Sequence, residues 1–184
     1  MSYIIWKSGC ASVQLNRPKA MNSLSLKNIV FLYERLIQWM SCDNVRHVVI
    51  HPLFDQEPSS RPNRPAFCCG GDLKEFISTD RREFTYREYR LDCLIQKYPK
   101  PITTLIDGIA MGGGAGLACL AAFRVVTPNT LFSMPEVGIY LYTGTSGCSA
   151  RRNRRTLAGI RIAALRSFCL PHEWMNRMEW LHRI

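Results

Sequence analysis

Between Ser23 and Met40 the apolar residues Leu26, Ile29, Val30, Tyr33, Leu36, Ile37 and Met40 recur at steps of three and four. That spacing predicts a helix with one apolar face, opened by Asn22 or Ser23 as its cap. Ahead of it, Tyr3 to Lys7 and Ala11 to Leu15 are short β-prone runs separated by SerGlyCys, which reads as a hairpin or meander at the start of a sheet. HisValValIle (47 to 50) has the continuous apolar character of a buried strand. Pro52 to Pro65 carries four prolines among Ser, Asn and Asp and is expected to be a surface loop. Asp72, with Glu75 three residues on, makes a capping-box-like start for a short helix, and a second helical stretch covers Arg82 to Gln96. Pro101 to Ile106 reads as an apolar strand, Gly113 to Ala122 as a helix, and PheArgValVal (123 to 126) as a further strand before the loop ThrProAsnThr. Strands alternating with helices over these lengths predict an α/β layered fold with right-handed crossovers. No internal repeat is visible.

Beyond about Gly147 the alternation stops at ArgArgAsnArgArg, and one plausible helix, Thr156 to Phe168, is followed by fragments rich in Trp, Met and Arg. The chain therefore divides into a single-domain core, 1–147, and a basic, partly helical tail, 148–184. The division changes how the net charge of +10 is read: from Arg151 onward eight Arg face only Glu173 and Glu179, which places +6 of that charge in the tail. The basic balance thus gives no partner to the core, and the run Arg151 to Arg155 lacks the interleaved aromatics of an RNA-binding platform; a solvated charge run accounts for it. Nucleic acid is not an expected partner.

The composition, 47% hydrophobic and 21% charged, is that of an ordinary globular protein. No apolar run approaches the roughly 18 residues that cross a bilayer, and the opening MetSerTyrIleIleTrp has no signal-peptide pattern, so neither a membrane partner nor export is expected. Eight Cys at irregular spacing, without CxxC pairs, read as reduced thiols in a reducing compartment such as the cytoplasm or the mitochondrial matrix. The neighbours Cys68 and Cys69 are better read as packing residues than as a redox pair. His47 and His51 stand four apart on a strand and share no helical face, so no metal site is expected there.

Two glycine clusters, Gly70-Gly71 and Gly112-Gly113-Gly114, each follow a strand and open a helix. A helix N-terminus presents unsatisfied backbone N–H groups and partial positive charge, so two such ends aimed at one point form an oxyanion site without any side chain. Taken singly, each cluster could be no more than a tight turn. A phosphate loop is disfavoured because no Gly-Lys-Ser/Thr follows either one.

The ordered set ValGlnLeuAsnArgProLysAlaMetAsnSerLeu (13 to 24), AlaPheCysCysGlyGlyAsp (66 to 72), IleAspGlyIleAlaMetGlyGlyGlyAlaGlyLeuAla (106 to 118) and PheArgValValThrProAsnThrLeuPheSerMetProGluValGlyIle (123 to 139) resembles the crotonase superfamily in order and spacing. Enoyl-CoA hydratases carry a glutamate where this chain has Gly116. That glycine, the GluTyrArgLeu stretch (88 to 91) and PheArgValVal look like the 3-hydroxyisobutyryl-CoA hydrolase branch. The resemblance implies the N-terminal portion of a crotonase-like ββα spiral that acts on an acyl-CoA thioester without a metal or redox cofactor, coenzyme A being part of the substrate. It implies that the N–H groups of Gly71 and Gly113 hold the thioester oxygen, and that Glu136 attacks the thioester or activates water. It further implies that Glu88 contacts the hydroxyl end of the substrate and that Gly112, Asp72, Lys19 and Ala20 complete the binding surface. Without the motif, Glu136 reads as a solvated loop carboxylate and Glu88 as part of an exposed helix face.

In the hydrolases an acidic residue and paired glycines follow; here IleTyrLeuTyrThrGlyThrSerGly puts Gly144 in the acid's place, and Thr143 or Thr145 could offer only a hydroxyl. The family also continues for a hundred or more largely helical residues that cover the acyl pocket and build a homo-oligomer. Truncation or a change of frame near residue 142 is therefore expected, and with it the loss of that oligomer. Two functions stay open: an acyl-CoA thioester hydrolase releasing 3-hydroxyisobutyrate and CoA in valine breakdown, and a catalytically impaired fragment that binds acyl-CoA or a partner chain without turnover.

Overall fold

The computed structural model describes residues 1–5, 9–53 and 65–139. The basic tail, Gly144 and most of the proline-rich loop lie outside the described residues. Strands β1 (Ser2–Ile5) and β2 (Cys10–Leu15) form the expected antiparallel hairpin, with Tyr3 opposite Val13. Parallel to β2 run β3 (His47–Pro52), β5 (Ile102–Ile106) and β7 (Phe123–Val126), giving a five-stranded sheet of order β1-β2-β3-β5-β7. A second, all-parallel sheet is built from β4 (Ala66–Cys68), β6 (Ile109–Met111) and β8 (Leu131–Ser133), each three residues long.

Chain order explains both sheets at once. From β3 onward the chain gives one strand to the large sheet, the next to the small sheet, and then a helix. β3 and β4 lead to α2 (Leu73–Ser78) and α3 (Arg81–Gln96); β5 and β6 lead to α4 (Gly113–Leu120); β7 and β8 lead to a 3-10 turn, Glu136–Ile139. This is the ββα spiral of a crotonase-like α/β fold. The repeat is architectural only, which is why no sequence period betrays it.

The core lies between the large sheet and its helices. Ala11, Val13, Val48, Ile50, Ile102 and Ile106 are buried and sit on neighbouring strands in register. Helix α1 (Leu26–Met40) closes this core with Ile29, Leu32, Leu36 and Trp39. Its buried stripe is rotated from the expected one: Leu32 and Trp39 are inside, whereas Ile37 is 43% exposed. The cap also differs. Ser25, not Asn22 or Ser23, accepts from the Asn28 amide, because residues 22–24 are tied to the first glycine corner: the Leu24 amide donates to the Gly70 carbonyl and the Asp72 amide to the Leu24 carbonyl. Glu75 does not reach back to its own cap either. Its carboxylate accepts from the Leu26 amide at 3.0 Å and so adds a second cap to α1.

One glycine is fixed by the crossing of the two sheets. Gly108 has φ +79°, and a Cβ there would lie 1.8 Å from the Pro65 carbonyl oxygen, so β5 can turn into β6 beside β4 only without a side chain at this point.

His47 and His51 are used inside the large sheet. His51 Nδ1 lies 2.7 Å from the Pro52 carbonyl oxygen, an acceptor, so Nδ1 donates there, while Nε2 shares a hydrogen bond of 2.7 Å with the Ser12 hydroxyl. His47 Nε2 sits 3.0 Å from the Thr103 hydroxyl. Among the described residues no three His, Cys, Asp or Glu side chains gather as metal ligands. The six described cysteines are free, and burial pushes the Cys68 and Cys119 thiols up to about 12, which leaves them as small neutral packing groups. No described helix is long and apolar enough to cross a membrane.

Candidate active site

The candidate residues collect at the carboxyl ends of the three short strands of the small sheet. Beyond β4 stands Gly71, beyond β6 stand Gly112 and Gly113, and beyond β8 stands Glu136; the three strands are neighbours in the order β4-β6-β8. Ligands of parallel α/β sheets sit at that end because there the strand-to-helix turns expose backbone N–H groups.

The first corner is held open by hydrogen bonds that leave one amide unused. Leu24 bridges Gly71 in parallel, and the bridge uses the carbonyl of Gly70 and the amide of Asp72. In such a ladder the N–H of the bridged residue points the other way, so that of Gly71 faces away from Leu24. Asp72 then caps α2 by accepting from the Lys74 amide, and its second oxygen accepts from Arg17 at 2.8 Å. The Arg17 guanidinium holds the Asp72 carboxyl below its usual range. Arg17 also donates to the Ser23 carbonyl, and Asn22, in a left-handed conformation (φ 55°), accepts from the Arg17 amide and donates to the Ala66 carbonyl. Lys19, exposed, and Ala20, half-buried, lie on the 3-10 turn Pro18–Ala20 that this network ties to the corner.

The second corner is built differently. The Gly112 amide donates to the Ser133 carbonyl, fixing β6 to β8, and α4 begins at Gly113 without any side-chain cap. The two corners stack on each other: a Cβ on Gly70 would lie 3.2 Å from the Gly113 amide nitrogen, and a Cβ on Gly113 would lie 3.7 Å from the Gly71 amide nitrogen. The two corners are therefore in direct backbone contact.

Both glutamates come to this point. Glu88, on α3, places Oε1 only 1.9 Å from where a Cβ on Gly113 would be, and Glu136 places Oε1 3.2 Å from the corresponding position on Gly112. Glycine at 112 and 113 thus clears the space that the two carboxyls occupy. Burial, followed by repulsion from Glu136, pushes Glu88 up to about 7; burial also raises Glu136, whose Oε2 is buried with no hydrogen-bond partner among the described residues. Both residues are half-buried with their carboxyls turned toward the glycines, which sets aside the exposed-helix reading of Glu88 and the solvated-loop reading of Glu136. Gly116 is buried within α4, so that helix contributes no carboxylate.

Sequence reasoning named Asn22 only as a helix cap and did not single out Arg17 or Phe84. Phe84 stacks edge-on against Phe76 and packs beneath the first corner, its ring 3.0 Å from where a Cβ on Gly71 would be. An aromatic four residues before Glu88, on the same helix face, was the available signal for it.

Residues 10–157 match the enoyl-CoA hydratase/isomerase family. The chain belongs to that family. Within the family it is 38% identical over 151 residues to the mitochondrial 3-hydroxyisobutyryl-CoA hydrolase of Xenopus tropicalis, an alignment covering 78% of this chain and 37% of the relative. Among solved structures it is similar to a carnitinyl-CoA dehydratase from Mycobacterium thermoresistibile, at 36% identity with a TM-score of 0.66 over 77% of this chain and 41% of that one. It is also similar to an enoyl-CoA hydratase/isomerase family protein from Silicibacter pomeroyi, at 25% identity with a TM-score of 0.73 over 100% of this chain and 75% of that one. The chain spans about 37% of the length of the curated relatives it matches.

Proposed function

We propose that this family member binds acyl-CoA thioesters at the two glycine corners and hydrolyses a small branched 3-hydroxyacyl-CoA, releasing the hydroxy acid and free CoA. One observation carries this reading: two backbone amides and two buried carboxyls, from four separate elements, meet around Gly112 and Gly113. The amides of Gly71 and Gly113 take the thioester oxygen as it gains charge. Glu136, one of whose oxygens has no partner among the described residues, acts on the carbonyl carbon as nucleophile or as base toward water. Gly112, Asp72, Lys19 and Ala20 bound the approach to the corner. The identity to 3-hydroxyisobutyryl-CoA hydrolases supports the choice of acyl group.

The test is chromatographic detection of free CoA from 3-hydroxyisobutyryl-CoA by the full chain. The expected result is turnover in the wild type and a loss of at least about 10³-fold in Glu136→Gln. Gly144 favours a second reading, acyl-CoA binding without turnover, because the acid of the hydrolase motif is absent there. Calorimetric binding of the thioester with no CoA release selects that reading, and measurable release rejects it.

A further inference from the structure

We propose that Glu88, in its protonated form, is a third hydrogen-bond donor to the developing oxyanion, beside the amides of Gly71 and Gly113. The inference rests on the acyl-CoA reading above and gives Glu88 a role different from holding the substrate's hydroxyl.

The geometry leads to it. Glu88 Oε1 sits 1.9 Å from the Cβ position of Gly113, a point itself 3.7 Å from the Gly71 amide nitrogen. The carboxyl therefore stands against Gly113, whose amide the acyl-CoA reading aims at the thioester oxygen. An ionised carboxylate at that place opposes the negative charge that the amides are there to stabilise, and it competes for their N–H groups. A neutral carboxylic acid does the reverse, because it can donate.

The surroundings hold it in the neutral form. Glu88 is half-buried with its carboxyl desolvated, and among the described residues the charged group acting on it is Glu136, from the turn after β8, with no described cation to offset that repulsion. From β4 the neighbouring Cys68 thiol, pushed up to about 12, is uncharged near neutral pH. α4, Gly113 to Leu120, carries no charged side chain. On α3 itself the nearby cations are engaged elsewhere, Arg87 with Glu83 and Arg90 with the Tyr33 hydroxyl. A carboxylic acid kept neutral by an apolar site and a second carboxylate is a recognised way of placing a donor near pH 7. It leaves the pair with one negative charge, on Glu136, so the proton on Glu88 and the base on Glu136 do not compete for one role.

The experiment compares three forms of the full chain: wild type, Glu88→Gln, which keeps a donor but cannot ionise, and Glu88→Leu, which keeps bulk but cannot donate. CoA release from 3-hydroxyisobutyryl-CoA is followed from about pH 5.5 to 9, on either side of the pH at which Glu88 titrates. The wild-type rate is expected to fall as pH rises through about 7. Glu88→Gln is expected to lie within about tenfold of wild type at low pH with no alkaline fall, and Glu88→Leu about 10²-fold or more below wild type. Gln as poor as Leu in folded protein, or an alkaline fall that persists in Gln, overturns the proposal. Absence of turnover in the wild type sinks the hydrolase reading without deciding this one. In that case, calorimetric binding of an acyl-CoA analogue with CH₂ in place of the thioester sulfur decides. Affinity that falls with rising pH in the wild type and stays flat in Glu88→Gln supports the donor; the same pH response in both rejects it.

Discussion

The two sheets of this molecule hold together in different ways, and the difference separates scaffold from site. In the large sheet, strands of four to six residues interlock buried side chains, and the polar groups between them, such as Ser12 with His51 and His47 with Thr103, satisfy one another. In the small sheet, strands of three residues also bury Phe67, Cys68, Ala110 and Phe132, but at their ends backbone meets backbone at glycines. Yet the small sheet ends on Gly71, Gly113 and Glu136. A site that must present bare amides needs close backbone approach, and close approach leaves no room for adjustment.

The largest effect should come from a test of that intolerance. Gly108→Ala puts a methyl group 1.8 Å from the Pro65 carbonyl oxygen at φ +79°. We expect a loss of about 4 kcal/mol, from overpacking and backbone strain together. Ile50→Val, which removes one buried methylene from the large sheet, should cost about 1 kcal/mol. Urea unfolding of both variants checks the contrast; equal losses would mean that the two sheets are held in the same way.

The next effect sharpens the contrast in its dependence on pH. Glu88 binds its proton more tightly in the folded chain, up to about 7 against 4.5 for a free glutamate side chain, so folding is opposed increasingly as pH rises between those values. The wild type should lose about 3 kcal/mol of stability from pH 4.5 to pH 7 through this group, with little further change above. Glu88→Gln should flatten that slope and unfold at higher temperature at pH 7. A slope unchanged in Glu88→Gln, measured by thermal melts across the range, would show that the site stores no such cost.

The same division governs what could be read from the chain alone. The large sheet and α1 follow from runs long enough to show a period: β2, β3, β5 and β7 were each visible as β-prone stretches. The strands Ile109–Met111 and Leu131–Ser133 were not, because three residues carry no period and their partners lie far along the chain. Within α1 the period gave the helix but not its rotation, since Ile37 and Leu36 are equally apolar and only tertiary packing chose between them. The caps failed for a related reason. Asn22 is as good a cap as Ser25, but its Oδ1 accepts from the Arg17 amide while its Nδ2 donates across the fold to the Ala66 carbonyl, a bond no local pattern reports. At the site, the glycine corners and both glutamates were named from an ordered motif. Arg17 and Asn22, which hold the first corner by bonds across 55 and 44 residues, had no local signature.

The smallest effect compares the caps of two helices, one on each side of the division. Ser25 caps α1 at the scaffold, but Glu75 accepts from the Leu26 amide at the same end, so Ser25→Ala leaves one acceptor in place and should cost about 1 kcal/mol or less. Asp72 caps α2 alone and also anchors the half-buried Arg17, with side-chain exposures of 18% and 32%. Asp72→Ala removes a cap and a charge-assisted bond together and should cost about 2 kcal/mol, while Asp72→Asn keeps the cap and should recover roughly half of it. The readouts divide further if the corner is the site. Ser25→Ala should release CoA at the wild-type rate, whereas Asp72→Ala lets the Gly71 amide drift from Gly113 and should lower kcat by about tenfold at unchanged fold. Parallel losses of stability and of rate in both variants would place the brace at Asp72 on the scaffold side, and the separation between the two sheets would then run elsewhere in the molecule.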